Sequence, residues 1–545
     1  MPVPPERVQQ IVRVLLELYN KEPLADGALR LPKGRVPVID QLALAIDGLE
    51  LDIDTKLGER ASALTQSLPL QFVPPRGLLA TLRPYQEEGV AWLEDACERG
   101  AGVILADDMG LGKTLQTITH ILLQKERGRL DLPVLIVAPT SLTGNWQREI
   151  EKFAPSLRTA IWQGARRARG RAELAMADVI ITSYPLIVRD TEVFTSLAFH
   201  MMILDEAQAV KSARSLAHKA VKHVITRHRV CLTGTPIENG LDELWSLFDV
   251  LSPGWLGSSE SFKLTFQTPI EKFRNQHVME ALRERIRPFI KRRLKSDVAK
   301  DLPPKTELVR TVELHGAQRD LYESIRIAAH DHVRKAVKDR GVAGATIDIL
   351  DALLKLRQVC CDPRLVSVPS ARSVRESAKL DVLHEMVEEN RSRGQKVLVF
   401  SQFATMLELI AKDFHRRDVP HAILTGATQN RQTLVDAFQR GDHDVFLISL
   451  KAGGTGLTLT AAETVIHYDP WWNPAVQAQA TDRAYRIGQT KPVFAFNLVV
   501  AGSVEERILS LQRRKRELAD GLLGAGALRD LTASDVESLF EPLDA

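Results

Sequence analysis

The sequence predicts an α/β protein made of two parallel-sheet lobes with helical insertions. Three observations carry this reading. Five short apolar runs, GVILADD, VLIVAPTS, VIITSY, MMILDEAQ and RVCLTGTP, each end in polar or glycine-rich residues and are separated by helix-length segments, which is the pattern of βαβ units. A second set repeats it further along: QKVLVFSQF, HAILTG, DVFLISLKAGGTG, TVIHYD and VFAFNLVV. Between the sets, from about 240 to 375, strand runs vanish and helical patterns such as LDELWSLFDVL and ATIDILDALLKLRQVC dominate.

Composition narrows the function classes. A chain of 545 residues points to three or four domains. With 26% charged residues, 44% hydrophobic residues and a formal net charge of only +3, the chain reads as globular without an overall basic field, so any nucleic-acid surface must be local. The four cysteines, Cys97, Cys231, Cys360 and Cys361, show no paired spacing and no accompanying histidine cluster, so neither a disulfide framework nor a zinc site is expected. Cys360 and Cys361 read as core thiols. No apolar run approaches a membrane span, and MPVPPERVQQ lacks signal-peptide features. A reducing, ATP-containing compartment is expected.

In chain order, residues 1–78 hold one amphipathic helical pattern, VQQIVRVLLELY, with no assignable chemistry. LRPYQEEGVAWLEDAC then reads as a helix whose start carries Arg83 and Gln86. The first lobe is expected over 79–300, with its helical insertion from about 240. A helical insertion and inter-lobe linker follow over 301–375, and the second lobe over 376–520. The second lobe has no lysine-bearing phosphate loop of its own. The tail, 521–545, reads as a small acidic helical appendix.

The chemistry starts at LADDMGLGKT, Leu105 to Thr114, between a buried strand and a helix. Asp107, Met109, Gly110, Leu111 and Gly112 form the turn. Gly110 and Gly112 let backbone N–H groups approach phosphate oxygens, Lys113 places a charge near the β and γ phosphates, and Thr114 can ligate magnesium. Asp107 stands where the general phosphate-loop pattern has glycine. At the end of the strand MMIL, DEAQ presents Asp205, suited to hold magnesium, and Glu206, suited to orient or deprotonate water. In QATDRAYRIGQ, Arg483 and Arg486 are three apart, which predicts one helix face, and their guanidinium forks suit a transferring phosphoryl group reached when the lobes close.

Three other stretches stay open between readings. PFIKRRLKSDVAKDLPPK carries a basic run from Lys291 to Lys295 that is either a solvated face or, through Arg292 and Arg293, a nucleic-acid backbone contact. KAGGTGLTLT is either a flexible loop or a close approach to ligand. In DPWWNPAVQAQ, Trp471 and Trp472 either enter the core or wedge against nucleic acid, with at least one expected in the core.

Taken in order, LRPYQ, DDMGLGKT, APTSLTGNWQRE, ITSY, DEAQ, LTGTPIEN, PFIKRRLKSDV, VLVFSQF, LKAGGTGLTL, DPWWNP and QATDRAYRIGQ strongly resemble the Swi/Snf family of DNA-dependent ATPases in helicase superfamily two, in its bacterial or archaeal type. Asp107 is normal for that family, whereas Gln208 replaces its usual histidine. The resemblance implies two RecA-like lobes and ATP-driven, magnesium-dependent translocation on double-stranded DNA without strand separation. It also implies Arg83 and Gln86 at the adenosine end and Arg483 and Arg486 as arginine fingers. Thr140, Ser183, Ser401, Gln402, Thr455 and Trp472 would line or support the DNA path. The expected partners are double-stranded DNA and a DNA-bound protein cargo, with the chain monomeric. The competing readings are a strand-separating helicase or RNA motor, and a nucleotide-gated scaffold.

Overall fold

The computed structural model describes residues 72–164, 174, 176–234, 240–299, 301–453, 457–471, 474–519 and 533–543. The expected N-terminal helix VQQIVRVLLELY lies outside them. The chain divides into two units, Met1–Val298 and Ala299–Ala545.

The first unit is built on a seven-stranded sheet. Its strands are β1 (Val103–Leu105), β2 (Val134–Ala138), β3 (Thr159–Ile161), β4 (Val179–Ser183), β5 (Ala198–Asp205), β6 (Ile225–Leu232) and β7 (Ile290–Lys291), in the order β3-β4-β2-β5-β6-β1-β7. Every pairing is parallel. β1, β2 and β4 are buried along their whole length, as apolar strands covered on both faces must be. The register sets Leu105 and Asp205 both level with Leu232. The carboxyl ends of β1 and β5 therefore open on one edge, where open α/β sheets bind ligands. Helices α1 (Pro84–Arg99), α2 (Lys113–Glu126) and α3 (Thr143–Phe153) supply the rest of the site's frame.

The second unit has a six-stranded parallel sheet of β8 (Lys305–Val312), β9 (Lys396–Ser401), β10 (His421–Leu424), β11 (Val445–Ser449), β12 (Ala462–His467) and β13 (Val493–Val500), ordered β10-β11-β9-β12-β13-β8. Two long helices, α4 (Gly316–Gly344, kinked at Gly341) and α5 (Thr346–Cys361), share a core with Val500, Val504, Leu539 and Phe540. Residues 301–375 are thus the opening part of the second unit, not a linker ahead of it. β8 escaped the sequence reading because it is an edge strand: six of its eight residues face solvent, and Glu307 and Arg310 interrupt any apolar run.

Helix α6 (Ala378–Ser392) is fixed to this sheet by a fully buried ion pair. Lys379 Nζ donates to Glu505 Oε1 at 2.8 Å and to the carbonyls of Tyr468 and Leu498 at 2.8 and 2.9 Å. Cys360 and Cys361 are buried free thiols, in line with the sequence expectation. Among the described residues, no helix is long and apolar enough to cross a membrane.

Candidate active site

The phosphate loop joins β1 to α2. Gly112, the residue before the helix, has φ 79°, and a Cβ there would stand 2.5 Å from Gln86 Nε2, so both conformation and space call for glycine. No side chain caps the first turn of α2, which leaves the dipole-polarised helix start available to an anion. Lys113 opens the helix, and its Nζ donates to the carbonyls of Asp107 and Asp108 at 2.5 and 3.3 Å. Burial pushes this ammonium below its ordinary range, against the attraction of Glu206, Asp107, Asp205 and Asp108. Helix α1 braces the loop from beneath. Tyr85 Oη and Gln86 Nε2 both donate to the Leu111 carbonyl at 3.1 Å, while Gln86 Oε1 accepts the Arg83 N–H at 2.9 Å.

The basic run lies beside this loop and revises one expectation. Arg293 Nε and Nη2 donate to the two oxygens of Asp107 at 2.9 and 2.5 Å, Nη2 also reaches Gln116 Oε1 at 2.8 Å, and Nη1 donates to the Tyr85 carbonyl. Asp107 is fully buried and Arg293 is 10% exposed at its side chain. The expected nucleic-acid contact therefore does not carry over to Arg293, whose guanidinium is committed behind the phosphate loop. The Asp107 carboxylate, held by Arg293 and Gln116, anchors the loop. Two backbone bonds, Ala106 N to Lys291 O and Asp108 N to Arg293 O at 2.7 and 3.0 Å, and the Lys295 N–H donating to Asp108 Oδ2 at 3.0 Å complete the splint. Gly89 makes room for it, since a Cβ there would come 2.7 Å from Arg293 Nη2. Arg292, next in the chain, is exposed.

Across the same edge, β5 delivers the two acids. Asp205 Oδ2 accepts Trp146 Nε1 of α3 at 2.8 Å, Oδ1 accepts the Glu206 N–H at 2.9 Å, and Tyr184 Oη donates to the Asp205 carbonyl at 2.8 Å. Burial, then the neighbouring Glu206 carboxylate, push the Asp205 carboxyl up to about 6. Glu206 has φ 47° and ψ 59°. A non-glycine residue in the left-handed region costs roughly 1–3 kcal/mol and persists where the surroundings enforce it, commonly at functional sites. Gln208 follows, its Oε1 buried without a hydrogen-bond partner among the described residues.

The remaining sequence-selected residues are spread over both units. Thr140 is exposed after β2, its carbonyl accepting Thr143 Oγ1 at 3.0 Å, and Ser183 ends β4 fully buried. In the second unit, Ser401 ends β9 and donates to Asp469 Oδ1 at 2.5 Å; the Gln402 N–H also points to Asp469, at 3.3 Å. Arg357 completes this buried group, reaching Gln402 Oε1 at 3.2 Å, the Pro470 carbonyl at 2.5 Å and Asp469 at 3.7 Å. The sequence reading missed Asp469 and Arg357, because a lone acid before proline and one arginine in an apolar helix have no spacing signal. Trp471 packs against the sheet core, as expected of one member of the pair. Trp472 and Thr455 lie outside the described residues.

Arg483 and Arg486 are not on one helix face. Helix α7 (Pro474–Thr481) ends before them, and turns follow, with Arg483 N bonded to Ala480 O, Ala484 N to Thr481 O and Arg486 N to Ala484 O. Gln489 Nε2 gathers the carbonyls of Thr460, Ala462 and Ala484, and Gly488 sits at φ 103°, so the segment cannot continue as a helix. Arg483 is buried, whereas Arg486 is half-buried with Nη1 donating to Thr458 Oγ1 at 2.7 Å.

A parallel sheet with a Gly-Lys-Thr loop after one strand and an Asp-Glu pair at the end of another places the first unit in the phosphate-loop class. The SNF2-related domain matches residues 85–365 and the helicase conserved C-terminal domain residues 378–488. The chain belongs to the SNF2-related family. It is 40% identical over 519 residues to YwqA of Bacillus subtilis, named among ATP-dependent helicases/translocases, covering 92% of this chain and 55% of that protein. It is 34% identical over 541 residues to the TATA-binding protein-associated factor MOT1 of Saccharomyces cerevisiae, covering 86% of this chain and 29% of that one. The chain thus spans about half the length, or less, of these curated relatives. A solved Sulfolobus solfataricus SWI2/SNF2 ATPase core in complex with dsDNA is 36% identical, covers 87% of this chain and 100% of its own, and superposes with a TM-score of 0.44.

Proposed function

We propose that the chain is a DNA-stimulated ATPase that translocates on double-stranded DNA and displaces or repositions proteins bound there. The observation that carries this is the placing of Lys113 and the Asp205–Glu206 pair at one sheet edge, beside an uncapped helix start. The loop N–H groups and Lys113 bind the phosphates of ATP, with Arg83 and Gln86 toward its nucleoside. The Thr114 hydroxyl and Asp205 carboxylate would hold magnesium, which supplies neutralising charge at the phosphates. Their fit rests on chemistry: a hydroxyl and a carboxylate are hard oxygen donors, the kind magnesium takes. Glu206 orients the attacking water and takes its proton, and its fixed left-handed backbone holds that carboxylate in place. Arg483 and Arg486 balance charge on the transferring phosphoryl group during turnover, coupling hydrolysis to movement along DNA.

Exposed Arg292 and Thr140 are the proposed backbone contacts of the first unit. Ser401 and Gln402, tied to Asp469, support the DNA path in the second unit, and Thr455 and Trp472 are proposed to contact the same DNA. Binding through phosphates should tolerate any sequence and fall steeply with salt. A steady-state ATPase assay tests the proposal. Duplex DNA should raise the rate, and Lys113→Ala or Glu206→Gln should abolish it. No stimulation by any nucleic acid would overturn it, and release of a labelled strand from a fork would favour a strand-separating helicase instead.

A further inference from the structure

The other end of the first sheet holds a cavity of about 430 Å³ that the nucleotide site does not use, lined by Cys97, Gln124, Asp131, His200, Arg227 and His228 among others. Cys97 comes from the last turn of α1, His200 from near the start of β5 and His228 from β6. Asp205 lies five steps along β5 from His200, so the cavity lies about 16 Å from the catalytic edge at the rise of an extended strand. The Cys97 sulfur and one ring nitrogen of each histidine all lie within 4.8 Å of one another.

His200 is 4% exposed, yet both its ring nitrogens lack a hydrogen-bond partner among the described residues, as does buried His228 Nδ1. A buried polar group normally finds a partner, so each exception asks for an explanation. The charged neighbours are already engaged: Asp131 pairs with Arg227 at 2.6 Å and Glu98 with Arg129 at 3.1 Å. Among the described residues, neither carboxylate bonds to a ring nitrogen of His200. Burial holds both rings below the ordinary histidine range, in the neutral form that offers a lone pair, and pushes the Cys97 thiol up to about 12, so an ion must displace its proton.

Two imidazoles and a thiolate form a ligand set for zinc-class ions. We propose that Cys97 Sγ and one ring nitrogen each of His200 and His228 bind a divalent zinc-class ion, with water from the cavity in the fourth position. Bonds of roughly 2.0–2.3 Å place tetrahedral ligands about 3.3–3.6 Å apart, so the three donors need close in by only about 1 Å. As the metal–sulfur bond forms, the Cys97 thiol gives its proton to solvent. The ion would tie the end of α1 to β5 and β6, elements whose opposite ends carry Gln86 and the Asp205–Glu206 pair. No zinc motif is visible in the sequence because these ligands are assembled from distant positions rather than from a paired motif.

Cobalt(II) is a direct probe. The full chain, stripped with chelator and titrated with Co2+, should take up about one equivalent with a thiolate-to-cobalt charge-transfer band, displaced by Zn2+. Cys97→Ser and, separately, His228→Gln should lose the band, while metal-free Cys97→Ser keeps the wild-type melting temperature. Zn2+ should raise the melting temperature of the wild type and not of Cys97→Ser. Absence of a band in the wild type, or a full-strength band in Cys97→Ser, would overturn the site.

Discussion

Replacing Arg293 by alanine separates the two roles open to the basic run. The side chain donates to both oxygens of Asp107, to Gln116 and to the Tyr85 carbonyl, and the Asp107 carboxylate is fully buried. Alanine would leave that carboxylate, among the described residues, with only Gln116 Nε2, at 3.2 Å, as a side-chain donor. Removing one partner of a buried ion pair costs about 3–5 kcal/mol, or about a hundredfold to several-thousandfold in the folding equilibrium. Urea unfolding followed by tryptophan fluorescence reads this well, because Trp92, Trp146, Trp162, Trp245 and Trp255 all belong to the first unit. The double variant Arg293→Met with Asp107→Leu should be less destabilised than Arg293→Ala, since no charge is stranded. Arg292→Ala should change stability by less than about 0.5 kcal/mol but lower the salt slope of DNA binding by about one. An Arg293→Ala variant that unfolds within about 1 kcal/mol of wild type and instead weakens DNA binding with a reduced salt slope would show that Arg293 serves DNA rather than Asp107.

Three further outcomes follow from the geometry. Asp205 has its carboxyl raised to about 6 from 3.8, so the folded chain holds that proton more tightly than the unfolded one. The resulting stability is complete below about pH 4 and is lost, by at most about 3 kcal/mol, as pH climbs through 6. Asp205→Asn should remove this component from a stability–pH curve, and a curve parallel to wild type would contradict it. Lys379→Met strands the buried Glu505 and should cost the second unit at least about 3 kcal/mol, with recovery in the Lys379→Met, Glu505→Leu double variant; equal melting of single and double variants would count against the pair's isolation. Gly112→Ala meets both the left-handed φ and Gln86, costing about 1–2 kcal/mol locally and raising KM for ATP about tenfold, and unchanged kinetics would show that the loop relaxes freely.

The strands and the phosphate loop were legible because their signal is local. Apolar runs such as VLIVA and VFLIS are buried end to end, and LADDMGLGKT and DEAQ announce strand ends by composition alone. What the sequence could not display was partnership over distance. Arg293 looks like any member of a charge run until Asp107, 186 residues away, is set against it. Arg483 and Arg486 have helical spacing, but Thr481 ends the helix and Gln489 cross-links the turns beyond it. β8 hides for the opposite reason, since an edge strand bathed in water need not be apolar.

The short helix α8 (Ala533–Leu539) lies beyond the last family motif, yet Val536, Leu539 and Phe540 are 3%, 0% and 2% exposed. Arg326 and Arg507 clasp its trailing carbonyls, at Phe540 and Ser538. Trimming the protein where the recognisable motifs stop would leave a greasy slot between α4 and Val504–Ala519. Such a shortened protein should precipitate or self-associate, and the fault would lie with the missing plug rather than with the phosphate-loop site.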